Sequence, residues 1–207
     1  MPVSYTHLRA HETDSYLVCR LLLEKKLMLC SPEHLKLIVV DGIFSMDGDI
    51  ADIRGITALA EKYSADVMVD DAHALGVLGP HGEGSSCHFG VTEKVALIMG
   101  TFSKSFAAAG GFVACDEDTI NYLKHHSRSF LFSASMTPAA TATASAAIDL
   151  MLQEPERISR LLDISRYALH GLKSLGFDTG RAETPIIPLY IGAVSYTHLT
   201  LPTIYSV

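Results

Sequence analysis

Three short apolar runs constrain this chain more than any other feature. They are residues 35–40 (LKLIVV), 66–69 (DVMV) and 95–99 (VALIM). A strand with one wet face alternates polar and apolar residues; a run that is apolar almost throughout marks a strand buried on both faces. Each run stops at a polar or turn-forming pair: Asp41-Gly42, Asp70-Asp71 and Gly100-Thr101. Between the first two, Ile53, Ile56, Leu59, Ala60 and Tyr63 follow helical spacing, with Asp49 and Asp52 near the start. Strand, helix, strand in that order predicts an α/β fold: a mostly parallel sheet covered by helices on both faces. Ligands in such sheets sit at the carboxyl ends of the strands.

Further along, Gly110-Gly111 leads into a strand over 112–115, and 116–127 reads as a helix. Pro138 suits the first position of a helix that runs to Leu152, and Pro155 opens another. The apolar face of that last helix is Ile158, Leu161, Leu162, Leu169, Leu172 and Leu175, and Gly176 is its expected stop. Residues 185–191 (PIIPLYI) read as an edge strand, since two prolines remove backbone donors.

Charge narrows the function. The 207 residues hold 16 Lys and Arg against 23 Asp and Glu, a net charge of −7. That excludes nucleic acid as a partner, because phosphate neutralisation needs basic clusters. No apolar run approaches the roughly 18–20 residues of a membrane span. The four cysteines, Cys19, Cys30, Cys87 and Cys115, are scattered and fit neither a zinc site nor a disulfide framework. Arg20 interrupts the apolar stretch 17–23, and no cleavage site follows. A reduced, cytoplasmic compartment is the expectation.

The ends stand apart from the middle. The hexapeptide Val-Ser-Tyr-Thr-His-Leu occurs at 3–8 and again at 194–199, with no shared pattern around it. It resembles a translated transposase-end adaptor from DNA library preparation. Residues 1–26 and 194–207 are accordingly expected to be adaptor-derived and are excluded from fold reasoning. The expected organisation is a partial large domain over 27–184 and the start of a C-terminal domain over 185–193.

The polar residues at the strand ends carry the chemistry. Asp70 follows Val67-Met68-Val69 directly, so it is expected to be poorly solvated and to seek a cation, unless it serves as a helix cap. Asp71 is the alternative cap. His73 lies three residues on. Asp70, Asp71, His73, His81 and His88 are also candidate metal ligands, but their spacing matches no standard set, and no metal is expected. Lys104, in Gly100-Thr101-Phe102-Ser103-Lys104-Ser105, is flanked by small hydroxyl residues just past a buried strand. A desolvated lysine there suits Schiff-base chemistry. The segment fails the GxxxxGK[ST] pattern of a P-loop, and the 79–84 loop (GPHGEG) lacks strand–turn–helix context for phosphate binding. A lysine for covalent attachment, a carboxylate for a pyridine nitrogen and hydroxyls for a phosphate together point to pyridoxal 5′-phosphate.

Five motifs then occur in order: 44–49 (FSMDGD), 69–76 (VDDAHALG), 100–105 (GTFSKS), Gly110-Gly111 and 131–135 (LFSAS). In this the chain resembles the α-oxoamine synthases, fold-type I pyridoxal-phosphate enzymes, over nearly all of 27–193. Segments 101–106 and 127–135 are most similar to the serine palmitoyltransferase-type branch. The resemblance implies that Lys104 forms the Schiff base and later exchanges the substrate's α-proton, that Asp70 pairs with the pyridinium nitrogen, and that His73 hydrogen-bonds the ring phenolic oxygen. It places Ser45 beside the cofactor, Thr101 on its phosphate, and Ser133 on the phosphate of the neighbouring subunit of a homodimer. The implied reaction condenses an amino acid (serine or glycine) with an acyl-CoA, giving an α-oxoamine, CoA and usually CO2. The family's N-terminal phosphate loop and stacking histidine, and its C-terminal carboxylate-binding arginine, are not found here, so the chain by itself is expected to be inactive. The competing readings are a class I/II aminotransferase, separable by CoA dependence, and a non-catalytic subunit of the same fold, which would typically have lost the lysine.

Overall fold

The computed structural model describes residues 16–191, with side chains from residue 20 onward. The elements run α1 (Tyr16–Leu29), β1 (Leu37–Asp41), α2 (Ile53–Tyr63), β2 (Asp66–Asp70), α3 (Ser85–His88), β3 (Leu97–Thr101), β4 (Gly111–Ala114), α4 (Glu117–His126), α5 (Arg128–Leu131), α6 (Pro138–Gln153) and α7 (Glu156–Ser174). The strands form one sheet in the order β1-β2-β3-β4. The first three are parallel; β4 is antiparallel to β3.

The helices begin where their caps dictate. Asp52 accepts the Gly55 amide at 2.8 Å and starts α2, and Ser64 ends it in the left-handed region at φ 50°. Asp49 takes no part in that cap and lies in the loop closed by an antiparallel bridge between Ile43 and Ile50. Thr137 caps α6 with Pro138 behind it. Past α7, Gly176 sits at φ 86° and the Phe177 amide donates to the Leu172 carbonyl, the expected glycine stop.

The core lies on one face of the sheet. Ile38 pairs with Val67 and Val40 with Val69 in register, and these side chains meet Ile53, Leu59 and Ala60 of α2. Leu23 and Leu27 of α1 join the same cluster. The boundary drawn at residue 26 thus falls inside α1, whose Glu24 also pairs with Lys62 at 2.6 Å. The other face of β1 differs from expectation: Leu37 and Val39 are each 44% exposed. A second cluster, Ile43, Ala74 and Leu78, seals the loops at the carboxyl end of the sheet, with Ile186 against it.

Two further expectations are corrected. Residues 185–191 form no strand; they run as irregular chain, with Pro185 and Pro188 giving no amide to a ladder. On α7 the buried positions are Ile158 and Ser165, whereas Leu161 and Leu175 are exposed. Helices α4 and α5 bury no residue, and α6 buries only Ala144.

Ile53 is fully buried at the centre of the main cluster. Ile53→Ala is expected to cost about 2–5 kcal/mol through lost transfer energy and the cavity left behind. Urea denaturation checks this; a loss under about 1 kcal/mol would place Ile53 outside the core.

Candidate functional site

Parallel pairing sets the strand ends side by side. Asp41 is the register partner of Asp70, and Asp70 of Met99, so Asp41, Asp70 and Thr101 terminate β1, β2 and β3 at one end of the sheet. Just beyond that end, a cleft of about 240 Å³ is lined by Ala72, His73, Lys104 and Ser105, with Thr184 and Ile186 across from them.

The turn after β2 brings His73 there. Asp70 is half-buried, and its Oδ1 accepts the Ala72 amide at 2.9 Å, which bends the chain immediately after the strand. The fully buried carboxyl is its neighbour. Asp71 Oδ1 accepts the Ser85 hydroxyl at 2.5 Å and Oδ2 the Ser85 amide at 3.0 Å. Asp71 therefore caps α3, fourteen residues on, rather than its own turn, and it is the poorly solvated carboxylate that the sequence had placed at Asp70. Burial pushes the Asp71 carboxyl above the ordinary range, and the bonds from Ser85 pull it back. A Cβ at Gly42 or Gly84 would overlap the Asp71 carboxylate. In the 79–84 loop, Gly79 makes room for Glu83, and Gly82 for Gly76, Met151 and Ile158. Those glycines serve packing.

His73 sits among three charges from three elements. Burial holds its imidazole below its usual value, and the Lys104 ammonium pushes the same way; Asp41 and Asp70 oppose both. Lys104 rides the loop between β3 and β4. That loop is closed by the Phe102 amide on Gly110 O at 2.9 Å, Ala108 on Phe102 O at 2.8 Å and Ala107 on Lys104 O at 3.1 Å. Phe102 stacks on Phe106 with ring centres 5.6 Å apart and anchors it. Ala107 holds φ 50°, a left-handed conformation that is strained for a residue with a side chain. Lys104 itself is exposed, so the expected desolvation does not come from this chain.

The remaining expected residues lie outside the lining of the cleft. Thr101 ends β3, where its hydroxyl lies 2.8 Å from Ser103 Oγ and donates to Gly110 O at 3.2 Å. Ser45 is exposed in the turn at 45–47 and does not line the cleft. Ser133 is exposed after α5, and its hydroxyl donates to the Ser129 carbonyl. Among the described residues, no three His, Cys, Asp or Glu side chains converge on a point that would hold a metal. His81 instead pairs with Glu83 at 3.1 Å, and His88 packs edge-on to Phe89. Asp41 and Ser105 were missed as site residues. Asp41 had a signal, since it occupies the same strand-end position as Asp70; Ser105 had none, because its partner is 30 residues away.

An amine and an imidazole in one cleft, beside a strand-end carboxylate at the carboxyl edge of a parallel sheet, are placed where α/β enzymes bind their ligands. The chain belongs to the aminotransferase class I and II family, whose model matches residues 9–199. Within it, the chain belongs with the α-oxoamine synthases, as the motifs implied. It is 53% identical over 169 residues to a serine palmitoyltransferase from Bacteroides thetaiotaomicron, covering 82% of this chain and 43% of that one. It is 48% identical to an 8-amino-7-oxononanoate synthase from Thermosipho melanesiensis over the same shares of each chain. A structure of serine palmitoyltransferase from S. paucimobilis with bound PLP–myriocin aldimine superposes with TM-score 0.79 at 34% identity, over 84% of this chain and 45% of that one. The chain thus spans less than half the length of these relatives.

Because His73 binds its proton less readily when folded, the unfolded state takes up more protons just below the ordinary value of 6.5. Stability then falls as pH drops through that window. His73→Gln is expected to flatten the fall between about pH 7 and 5. Urea denaturation across that range checks it; identical slopes for both proteins would mean the imidazole is not held low.

Proposed function

We propose that this chain is the central part of a pyridoxal-phosphate-dependent acyltransferase. It would condense an amino acid, serine or glycine, with an acyl-CoA to give an α-oxoamine, CoA and usually CO2. The observation that carries this reading is the meeting of Lys104 and His73 in one cleft at the strand end that bears Asp70. The names of the relatives support the acyl-transfer branch over aminotransfer.

The donor set fits the cofactor. Lys104 extends from an exposed loop at the carboxyl end of the sheet and lines the cleft, where a bound cofactor could reach its amine. When bound, the cofactor supplies an electron sink for the charge left at the amino acid's α-carbon. The residues of this chain would do the rest. Asp70 would keep a proton on the ring nitrogen. His73, held neutral near pH 7, would hydrogen-bond the ring oxygen without adding charge. Lys104, once displaced by substrate, would take and return the α-proton. Thr101 would hold the phosphate; the role that the resemblance gives Ser45 would require the 45–47 turn to lie nearer the cleft than it does here.

A homodimer belongs to the same proposal. Phe130 and Phe132, just before Ser133, are 65% and 81% exposed, a patch that a second subunit would cover while Ser133 reached its phosphate. No helix among the described residues is long and apolar enough to cross a membrane. A reduced, cytoplasmic compartment belongs to the same proposal and is supported by the scattered cysteines. The adaptor origin of 1–26 and 194–207 also stays a proposal. Resequencing the source locus without transposase chemistry is expected to remove both copies of the hexapeptide; finding their codons in place would refute it.

The direct test uses the full-length source protein with added pyridoxal phosphate. A Schiff-base absorption is expected, and borohydride reduction with peptide mapping should place the pyridoxyl group on Lys104. Lys104→Ala should abolish the adduct. A folded protein that forms none would support the non-catalytic reading instead, and amine transfer without CoA would support the aminotransferase.

A further inference from the structure

We infer that Ser105 is a positioning residue: its hydroxyl fastens the loop bearing Lys104 to the turn bearing His73, and so sets the distance between amine and imidazole. This rests on the reading above for its purpose, though the contact itself does not.

The geometry is specific. Ser105 Oγ donates to the Leu75 carbonyl at 2.7 Å, across thirty residues of sequence. Leu75 and Ser105 line the same cleft as His73 and Lys104. The next residue on the turn is Gly76, at φ 77°, where a Cβ would stand 2.8 Å from both Cβ and Oγ of Ser105. Glycine at 76 therefore does two things: it permits the left-handed turn, and it lets Ser105 come close enough to bond. On the other side, Phe106 is buried and stacked on Phe102, which anchors the far end of the loop and leaves Ser105 to hold the stretch bearing Lys104. Backbone bonds close the loop upon itself at 102, 107, 108 and 110, but Ser105 Oγ is the hydrogen bond shown among the described residues from this loop to the His73 turn.

His73 reports on the arrangement. The charged groups acting on it are Lys104 from the β3–β4 loop, Asp41 from the end of β1 and Asp70 from the end of β2. The backbones of the two aspartates are set by the strand pairing, whereas Lys104 rides the loop that the Ser105 contact holds, so loss of that contact is expected to act on His73 through Lys104.

The test is an NMR titration of His73 in the full-length protein without cofactor. Ser105→Ala is expected to raise the His73 midpoint toward its ordinary value, because the Lys104 charge moves away. Lys104→Met should raise it as well. Ser105→Ala added to Lys104→Met should then produce no further rise. Ser105→Cys, which keeps the size but donates weakly, guards against misfolding, and Gly76→Ala attacks the same contact from the other side. With cofactor added, the rate of pyridoxyl adduct formation on Lys104 should fall about tenfold in Ser105→Ala, the scale of a small misplacement of a reacting group. Folded Ser105 variants with an unchanged His73 midpoint would overturn the inference. So would a further rise in the Lys104→Met background, since the serine would then act on His73 by another route. If the wild-type protein forms no adduct, the proposed function fails, while the titration still decides the role of Ser105.

Discussion

The parallel register of β1, β2 and β3 is the constraint on which the site depends. Strands that run the same way finish at the same edge, so Asp41, Asp70 and Thr101 arrive together although 60 residues separate the first from the last. A parallel pair also needs a crossover, and α2 supplies it while covering the face that Ile38, Val40, Val67 and Val69 present. Core and site are thus two consequences of one pairing. The apolar residues inside each strand hold it in the sheet, and the first polar residue beyond them is delivered to the edge.

Asp71 fixes what happens after the strand. A carboxyl buried this deeply is costly unless it is hydrogen-bonded, and the Ser85 amide and hydroxyl meet that need. The bond ties the start of the 72–84 loop, which carries His73, to its end at Ser85. Its demand for space explains the glycines at 42 and 84 better than any phosphate does. The Lys104 loop is organised differently, by aromatic stacking and backbone bonds, and meets the His73 turn through Ser105.

The second half of the chain has another character. From α4 to α6 almost nothing is buried, and large apolar side chains such as Phe130, Leu131 and Phe132 face outward. Free energy from burial scales with the apolar area removed from water, so these helices gain little from contacts within the described residues. They agree with a chain that spans less than half the length of its relatives.

The sequence by itself determined the four strands of the sheet, the helix stops and the family. Apolar runs, caps such as Asp52 and Thr137 and the glycine after α7 act over a few residues, and local chemistry suffices to read them. The ordered motifs pointed to Lys104 and His73, which the structure brings to one cleft, and to Asp70 at the strand end beside it. Only the tertiary structure decided which carboxylate is buried, because Asp70 and Asp71 are neighbours and the hydrogen-bond partner of the buried one, Ser85, lies fourteen residues on. It also decided that 185–191 is no strand, that Ser45 and Ser133 stand away from the cleft within one chain, and that Ser105 joins two loops. Burial and long-range hydrogen bonds depend on which surfaces meet in space, and sequence spacing does not encode that.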